Sequence, residues 1–158
     1  MNSGAHFSRC RAYRYALWRQ WQAAGPMLML IGLNPSTADA EHDDPTIRRC
    51  IGFARDWGFG GVWVVNLFAY RATQPTDLKA AADPIGPRND IWLKKIARRC
   101  DRIVAAWGNH GRFMNRSARV CAMFGDRLEI IRLTAAGEPA HPLYLPKTLK
   151  PVVWGVEG

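Results

Sequence analysis

Three polar side chains, two amides and one imidazole, belong to segments that are far apart in the chain. The amides are Asn34 and Asn66, and the imidazole is His141. An amide oxygen can orient a water molecule, an amide presents both a donor and an acceptor to a ligand, and a neutral imidazole can donate to a developing anion. The segments are GLNPST (32–37), VVNLF (64–68), WGNHGR (107–112) and HPLYLP (141–146). We predict that they converge along one rim of an open sheet and form an active site.

The elements that would position these segments alternate along the chain. Continuous apolar runs of strand length predict buried strands at 27–33, 61–65, 102–106 and 128–133. Helical spacing of apolar residues predicts helices from Asp44, as the N-cap, to Gly58, and over 87–99 and 109–124. The aromatic segment 11–21 alternates with period two, with Arg14 and Gln20 on its other side, and predicts an N-terminal edge strand.

This alternation predicts a single domain over residues 1–158 of the α/β class. Its architecture is expected to be a three-layer α/β/α sandwich with a central, mainly parallel, four-stranded sheet plus the edge strand. Ligands of such sheets gather at the carboxyl ends of the strands. Asn34, Asn66, the turn at 107–110 and His141 all fall just beyond predicted strand ends, which supports one shared site.

The charge of the chain favours an anionic partner. The formal net charge is +9, and Arg far outnumbers Lys. Guanidinium groups pair with phosphate oxygens, so nucleic acid or a nucleotide is the expected partner. The alternative is that the chain is basic without any such partner.

The cysteines and the apolar runs exclude other classes of protein. Cys10, Cys50, Cys100 and Cys121 have no pair two residues apart, so we expect free thiols and no zinc or iron-sulfur site. No run approaches the roughly 18 apolar residues of a membrane span, and the N-terminus lacks a secretory apolar stretch. We therefore expect a cytoplasmic, monomeric protein with no membrane partner, no metal and no cofactor.

Taken together, the four segments resemble the ordered motifs of the uracil-DNA glycosylase superfamily. GLNPS is similar to GINPG of the mismatch-specific uracil and thymine glycosylase branch, and VVNLF to its LLNTVL strand. WGNHGR resembles WGSHAQ, and HPLYLP resembles HPSPLS. The resemblance spans residues 32–146. The wider stretch, with DDPTIRRC, NLFAYRAT and HPLYL, also resembles a bacterial family known as domain of unknown function 1643.

The glycosylase resemblance implies a role for each polar residue. Asn34 would position the water that attacks the sugar, and His141 would donate a hydrogen bond to the departing base. The base itself would be bound by Asn66, Gly32, Leu33 and Phe68. Simpler interpretations stay open at this point: a turn at Asn34, a structural loop residue at His141 and a backbone contact for Asn66.

The resemblance also implies contacts with nucleic acid. Leu143, Tyr144 and Leu145 match an apolar wedge that fills the space left by a flipped nucleotide, or else they pack in the core. The other expected contacts are Pro35, Ser36, Asn109, His110 and Arg112. Leu143 and Tyr144 replace the Ser-Pro pair of HPSPLS, so the phosphate contact of that serine is absent.

One further segment offers two interpretations. Asp43 and Asp44 form either an acid/base pair or a helix start, and the helix start is favoured. The residues that follow, Thr46, Arg48 and Arg49, would then meet a phosphate at the helix N-terminus.

Three functions are compatible with these residues. The leading hypothesis is a hydrolase of the DNA glycosylase type that cleaves the N-glycosidic bond of a damaged or deaminated, uracil-like base. The second is an enzyme that processes a small nucleotide or nucleoside on the same fold. The third is a noncatalytic nucleic-acid-binding module. The partner is accordingly DNA, single- or double-stranded, or a nucleotide.

Overall fold

A mixed, seven-stranded sheet forms the centre of the molecule. The computed structural model describes residues 1–155. The strands are β1 (Asn2–Phe7), β2 (Arg14–Gln20), β3 (Met27–Gly32), β4 (Gly61–Asn66), β5 (Arg102–Ala105), β6 (Leu128–Ile130) and β7 (Val152–Val153). They lie in the order β1-β2-β4-β3-β5-β6-β7. The neighbouring strands β4, β3, β5 and β6 are parallel, and β1, β2 and β7 are antiparallel to their neighbours.

The predicted α/β class is confirmed, but the predicted four-stranded sheet is too small and the sheet is mixed. The four apolar runs do form the parallel centre. β1 has the sequence NSGAHF and β7 has two residues, so neither carries the apolar pattern that would reveal a strand. The predicted edge strand, β2, instead lies between β1 and β4.

The helices are α1 (Pro45–Asp56), α2 (Pro75–Ala80), α3 (Asn89–Ala97) and α4 (Arg116–Phe124). Asp44 is the N-cap of α1 as predicted, because its side chain accepts a hydrogen bond from the Ile47 N–H. The predicted helix over 109–124 is wrong in its first half. Met114 and Asn115 have left-handed backbone, with φ of 53° and 57°, so a 3₁₀ turn precedes α4. The helix α2 was not predicted from the sequence.

Helices cover both faces of the sheet, and each face has its own apolar cluster. On one face, α1 packs Ile47 and Phe53 among strand residues such as Leu30 and Val64. The helices α3 and α4 lie on the other face, where their buried residues join the opposite side of the same strands. The members of that cluster include Leu93, Ile96, Val120, Met29, Ile31 and Trp63.

The order of the parallel strands creates a switch point between β3 and β5. From β3 the chain passes through α1 to β4 on one side, whereas from β5 it passes through α4 to β6 on the other side. Connections that leave neighbouring strands in opposite directions open a crevice at the carboxyl ends of those strands, where α/β proteins bind ligands.

Candidate functional site

Two adjoining cavities lie at the carboxyl ends of the parallel strands β3, β4 and β5. The first, which we call the inner cavity, has a volume of about 40 Å³. The second, the outer groove, has a volume of about 620 Å³. The residues that line both are Leu33, Asn34, Ser36, Thr46 and His141. A ligand in the outer groove therefore lies against side chains that also reach the inner cavity.

Asn34 presents its amide oxygen rather than its amide nitrogen. Its Nδ2 donates to the carbonyl oxygens of Ala72 at 2.7 Å and Pro35 at 3.1 Å. These two bonds fix the orientation of the carboxamide, because a flipped amide would set an oxygen against both carbonyls. Within residues 1–155, Oδ1 has no hydrogen-bond partner and remains an acceptor for water or ligand.

Asn66 ends β4 and lines the inner cavity with a nearly buried side chain, 4% exposed. A Cβ atom added to Gly32 would lie 2.9 Å from Asn66 Oδ1, so the glycine makes room for this amide. Asn66 Nδ2 is buried and has no hydrogen-bond partner in the described part of the chain. Such a donor is available to a ligand or a water molecule.

A buried amide on α3 holds the end of β4 in place. Asn89 Nδ2 donates to the carbonyl oxygens of Asn66 at 2.9 Å and Leu67 at 3.0 Å. Arg116 Nε also donates to the Leu67 carbonyl, at 3.0 Å. These contacts fix the backbone that carries the Asn66 side chain, and the sequence pattern gave no signal for them.

The Asn89→Ala substitution is expected to lower the free energy of unfolding by about 1–3 kcal/mol, because it removes one donor from each of two carbonyl groups, and only that of Leu67 keeps a side-chain donor, from Arg116. Chemical denaturation of both proteins measures this difference. Asn2→Ala is the matched control, since Asn2 is exposed on β1 and its loss is expected to cost less than about 0.5 kcal/mol. Equal effects of the two substitutions would show that Asn89 does not hold this strand end.

His141 is arranged as a neutral hydrogen-bond donor. The Leu143 backbone N–H donates to His141 Nδ1 at 3.2 Å, which caps the 3₁₀ turn Pro142–Tyr144. Because Nδ1 accepts this bond, the neutral ring carries its proton on Nε2. Burial lowers the pKa of His141 below its ordinary value of 6.5, against an opposing effect of Asp44. The ring is therefore uncharged near neutral pH.

Arg14 was missed as a site residue, since the alternation along its segment placed it on the polar side of an edge strand. It is only 2% exposed and lines the inner cavity. A register shift between β1 and β2 makes Tyr15 an extra residue. This bulge turns Arg14 onto the face that carries Leu17. Bulges next to binding sites often redirect a side chain in this way.

The guanidinium of Arg14 remains charged despite its burial. Burial lowers its pKa to about 10, with Asp44 opposing the shift, so the group is protonated at neutral pH. Arg14 Nη1 donates to the Ala38 carbonyl at 3.1 Å. Its Nε is buried and has no partner within the described residues.

Asp44 also lines the inner cavity, and its bonds support the helix-start interpretation. Its two carboxylate oxygens accept from the backbone N–H groups of Ile47 at 2.9 Å and Ala38 at 3.2 Å. The neighbouring Asp43 instead pairs with Arg19, at 2.8 Å. The two acids therefore point to different partners and do not form an acid/base pair.

The residues predicted to bind the base are divided between the site and the core. Gly32 and Leu33 line the inner cavity. Phe68 is fully buried in the core, with its ring 5.6 Å from that of Phe113, and it lines neither cavity. Among the predicted nucleic-acid contacts, Ser36 lines both cavities, whereas Pro35 is buried and lines neither.

The WGNHGR segment lines the outer groove with Trp107, Asn109 and His110. Trp107 also has a structural role, because its Nε1 donates to the buried Glu138 carboxylate at 2.8 Å. Asn109 and His110 are exposed. Arg112 donates to Glu138 and to the Ala136 carbonyl and lines neither the inner cavity nor the outer groove. Its predicted contact with nucleic acid stays a prediction.

The HPLYLP segment contributes two exposed residues to the groove. Leu143 and Tyr144 are 37% and 84% exposed and line the outer groove. Leu145 is 5% exposed and packs in the apolar core on the α1 side. Arg49 Nη1 donates to the Leu145 carbonyl at 3.0 Å, which ties the segment to α1. The apolar wedge expected from the sequence is therefore reduced to Leu143 and Tyr144.

The remaining chemical groups near the site include a thiol. All four cysteines are free, as predicted. Cys50 lines the inner cavity, but burial raises the pKa of its thiol to about 12. It stays protonated at neutral pH and is not an activated nucleophile. Within residues 1–155, no group of three or more His, Cys, Asp or Glu side chains is placed to hold a metal ion.

Fold and site together define an open α/β protein with a small polar cavity at the switch point of its sheet. The chain belongs to the family described as Protein of unknown function (DUF1643), whose model matches residues 14–143. The matched segment includes every residue that lines the inner cavity. No curated protein and no solved structure matches the chain. None of the helices described in residues 1–155 is long and apolar enough to cross a membrane.

Proposed function

We propose that this protein is a hydrolase of the DNA glycosylase type, which removes a damaged or deaminated, uracil-like base by cleaving its N-glycosidic bond. The motif resemblance to the uracil-DNA glycosylase superfamily motivates the proposal. The observation that carries it is that Asn34, Asn66 and His141 line one cavity, although they are far apart in the chain.

The proposed chemistry assigns one task to each group. Asn34 Oδ1 accepts a hydrogen bond from the attacking water and directs its oxygen to the anomeric carbon of the sugar. As the glycosidic bond breaks, its electron pair leaves with the base. The attacking water forms the new bond to the anomeric carbon and gives up a proton to the solvent, and the departed base anion takes up a proton from the solvent. His141 donates a hydrogen bond from Nε2–H to an acceptor atom of this anion and stabilises the charge without transferring its own proton.

The two cavity volumes determine how a base is accommodated. The inner cavity, at about 40 Å³, is far smaller than the roughly 150 Å³ cavity that holds a benzene ring in an engineered protein. A base ring therefore lies in the outer groove, beside Asn34 and His141, and only its polar edge enters the inner cavity. Tyr144, the most exposed aromatic side chain of the groove, is placed to stack on the ring.

Base release from defined oligonucleotides tests the proposal. Purified protein is incubated with single- and double-stranded DNA containing uracil or hypoxanthine, and alkali then cleaves the strand at any abasic site. We expect a cleavage product from at least one of these substrates. The absence of product from all of them, at enzyme concentrations above that of the DNA, contradicts the proposal.

A basic depression beside the groove supports a nucleic-acid partner. Three cations, Arg48, Arg49 and Lys147, and one acid, Asp56, line a space of about 350 Å³, so its lining has an excess of positive charge. Leu143 lines both this depression and the outer groove. A strand whose nucleotide occupies the groove would therefore pass its phosphates over these cations.

Lys147→Gln is expected to weaken DNA binding to a similar extent for all sequences and to reduce the slope of log affinity against log salt by about 1. Fluorescence anisotropy at several salt concentrations measures both quantities. Lys94→Gln is the matched control, because Lys94 is exposed on α3 over the opposite face of the sheet. If both variants bind DNA as the original protein does, phosphates do not cross this depression.

One observation in the HPLYLP segment favours a second function, the processing of a small nucleotide or nucleoside. Since Leu145 is buried in the core and Tyr144 is assigned to stack on the base, only Leu143 remains to enter a duplex, and a small nucleotide or nucleoside needs no such wedge. Thermal-shift measurements with mononucleotides and with oligonucleotides separate the two functions. Stabilisation by a mononucleotide alone supports the second function.

A further inference from the structure

Two residues that line the inner cavity each carry a buried hydrogen-bond donor without a protein acceptor. The donors are Arg14 Nε and Asn66 Nδ2, and neither has a partner within residues 1–155. Their side chains are 2% and 4% exposed and both line the cavity. Asp44 lines the same cavity, but both of its oxygens already accept backbone N–H groups. Because an unpaired buried donor is unfavourable, Arg14 and Asn66 favour a group that accepts hydrogen bonds.

Arg14 decides which kind of group can enter. An amide can turn over and present either its oxygen or its nitrogen, so Asn66 alone would admit a donor as readily as an acceptor. A guanidinium has donors only and stays charged at neutral pH. Arg14 is also held in place by its bond to the Ala38 carbonyl, at 3.1 Å, so it cannot readily turn away.

We propose that Arg14 determines base specificity by binding the exocyclic oxygen of a 4-oxopyrimidine or 6-oxopurine in the inner cavity, together with Asn66. This inference rests on the proposed function. The volume fits: roughly 10–15 Å³ of such space holds one water molecule and roughly 150 Å³ holds a benzene ring, so a space of about 40 Å³ accommodates an exocyclic atom but not a ring. The ring remains in the outer groove, against Asn34 and His141.

The same geometry rejects the amino bases. The amino group of cytosine or adenine would point its N–H bonds at the N–H donors of Arg14. A site built to donate to an oxygen then loses its hydrogen bonds and keeps the cost of desolvation. Uracil and hypoxanthine are the products of deaminating cytosine and adenine, so Arg14 separates each deaminated base from its parent.

Binding of free bases tests the inference without relying on hydrolysis. Isothermal titration calorimetry compares uracil with cytosine and hypoxanthine with adenine. We expect each oxo base to bind about tenfold to a hundredfold more tightly than its amino partner. In Arg14→Gln the preference is expected to disappear, because the glutamine amide can accept as well as donate.

Arg19→Gln is the matched control. Arg19 is equally buried on β2, at 2% exposed, but it pairs with Asp43 and lines neither cavity. Its loss is expected to reduce stability and to leave the oxo-to-amino affinity ratio unchanged. If Arg14→Gln does not fold, Asn66→Asp replaces it. That variant keeps Arg14 but presents carboxylate oxygens to the base oxygen, and it is expected to weaken binding of the oxo bases.

The outcomes separate this inference from the proposed hydrolysis. Equal affinities for oxo and amino bases overturn it, and so does a lack of binding by any base, since the cavity then holds only water. If the protein binds oxo bases selectively through Arg14 but releases no base from DNA, the specificity site is supported and the proposed hydrolase activity is contradicted. If Arg14→Gln still releases oxo bases selectively, the hydrolase is retained and Arg14 is not the specificity residue.

Discussion

Asn34→Ala is expected to reduce the rate of base release by a hundredfold or more, because loss of a positioning group leaves the attacking water without its alignment. Asn34 Oδ1 is the acceptor that the fixed carboxamide leaves available, since Nδ2 donates to Ala72 and Pro35. Single-turnover rates on a uracil- or hypoxanthine-containing oligonucleotide measure the effect. The substitution also removes two hydrogen bonds, so circular dichroism must first show that the variant is folded.

Asn34→Asp distinguishes the orientation of the amide from the mere presence of an oxygen. An amide cannot take a proton as a carboxylate can, so the sequence alone suggests that aspartate would be faster at this position. In the structure, however, one carboxylate oxygen would face the Ala72 carbonyl, at the 2.7 Å now spanned by Nδ2. We therefore expect no gain in rate at neutral pH. A variant faster than the original protein would show that the two carbonyls do not constrain this residue.

The same repulsion predicts how the stability of Asn34→Asp depends on pH. Nearby carbonyl oxygens disfavour the carboxylate and raise the pKa of this Asp above its unfolded value, so the folded state binds more protons than the unfolded state. The variant is then as stable relative to the original protein as it can be when the pH is below the pKa of the new carboxyl group in the unfolded chain. This stability is lost as the pH rises through the pKa of that group in the folded protein. Thermal unfolding at acidic and neutral pH measures this difference.

The positions of Asn34 and Asn66 could be predicted from strand ends. Continuous apolar runs marked the parallel strands, and the carboxyl ends of parallel strands share one edge of a sheet. Such a prediction needs only the ends of strands and not the direction of each side chain. His141 lies well beyond β6, which ends at Ile130, so its position beside the two amides depends on the path of the loop. The chemical roles of all three residues remain predictions.

The direction in which several side chains point could not be predicted from the sequence. Arg14 was assigned to a polar side because strict alternation hides a bulge, and only the pairing of β1 with β2 reveals the extra residue Tyr15. Phe68 lies two residues beyond β4 and Leu145 beyond the 3₁₀ turn, where no period applies. Both turn into the core because apolar space is available there, which depends on tertiary packing.

The break before α4 has a similar origin. No glycine or proline occurs at the left-handed positions Met114 and Asn115, so the helical pattern of the sequence continues through them. The preceding turn is instead fixed from outside, through the bonds of Trp107 and Arg112 to Glu138. Glu138 is distant in sequence, and local propensity carries no information about this contact.

His141→Ala is expected to lower the rate of base release by about a hundredfold to a thousandfold, the usual effect of removing one donor to a developing anion. The substitution leaves an acceptor atom of the departing base without the Nε2–H bond. His141→Gln is the matched variant, since its amide can also donate, and it is expected to retain part of the lost rate. Equal losses in the two variants would indicate that His141 supports the loop and does not stabilise the leaving base.

The pH profile tests which form of His141 is active. Burial lowers its pKa below 6.5, so the folded state binds fewer protons than the unfolded state, and the stability due to the neutral ring is lost as pH falls from 6.5 through the folded pKa. Protonation also places a hydrogen on Nδ1, opposite the Leu143 N–H that it now accepts. We therefore expect the rate to fall only below pH 6.5, and this acid limb to be absent in His141→Gln. A rate that declines as pH rises through 6.5 would instead require the charged imidazole.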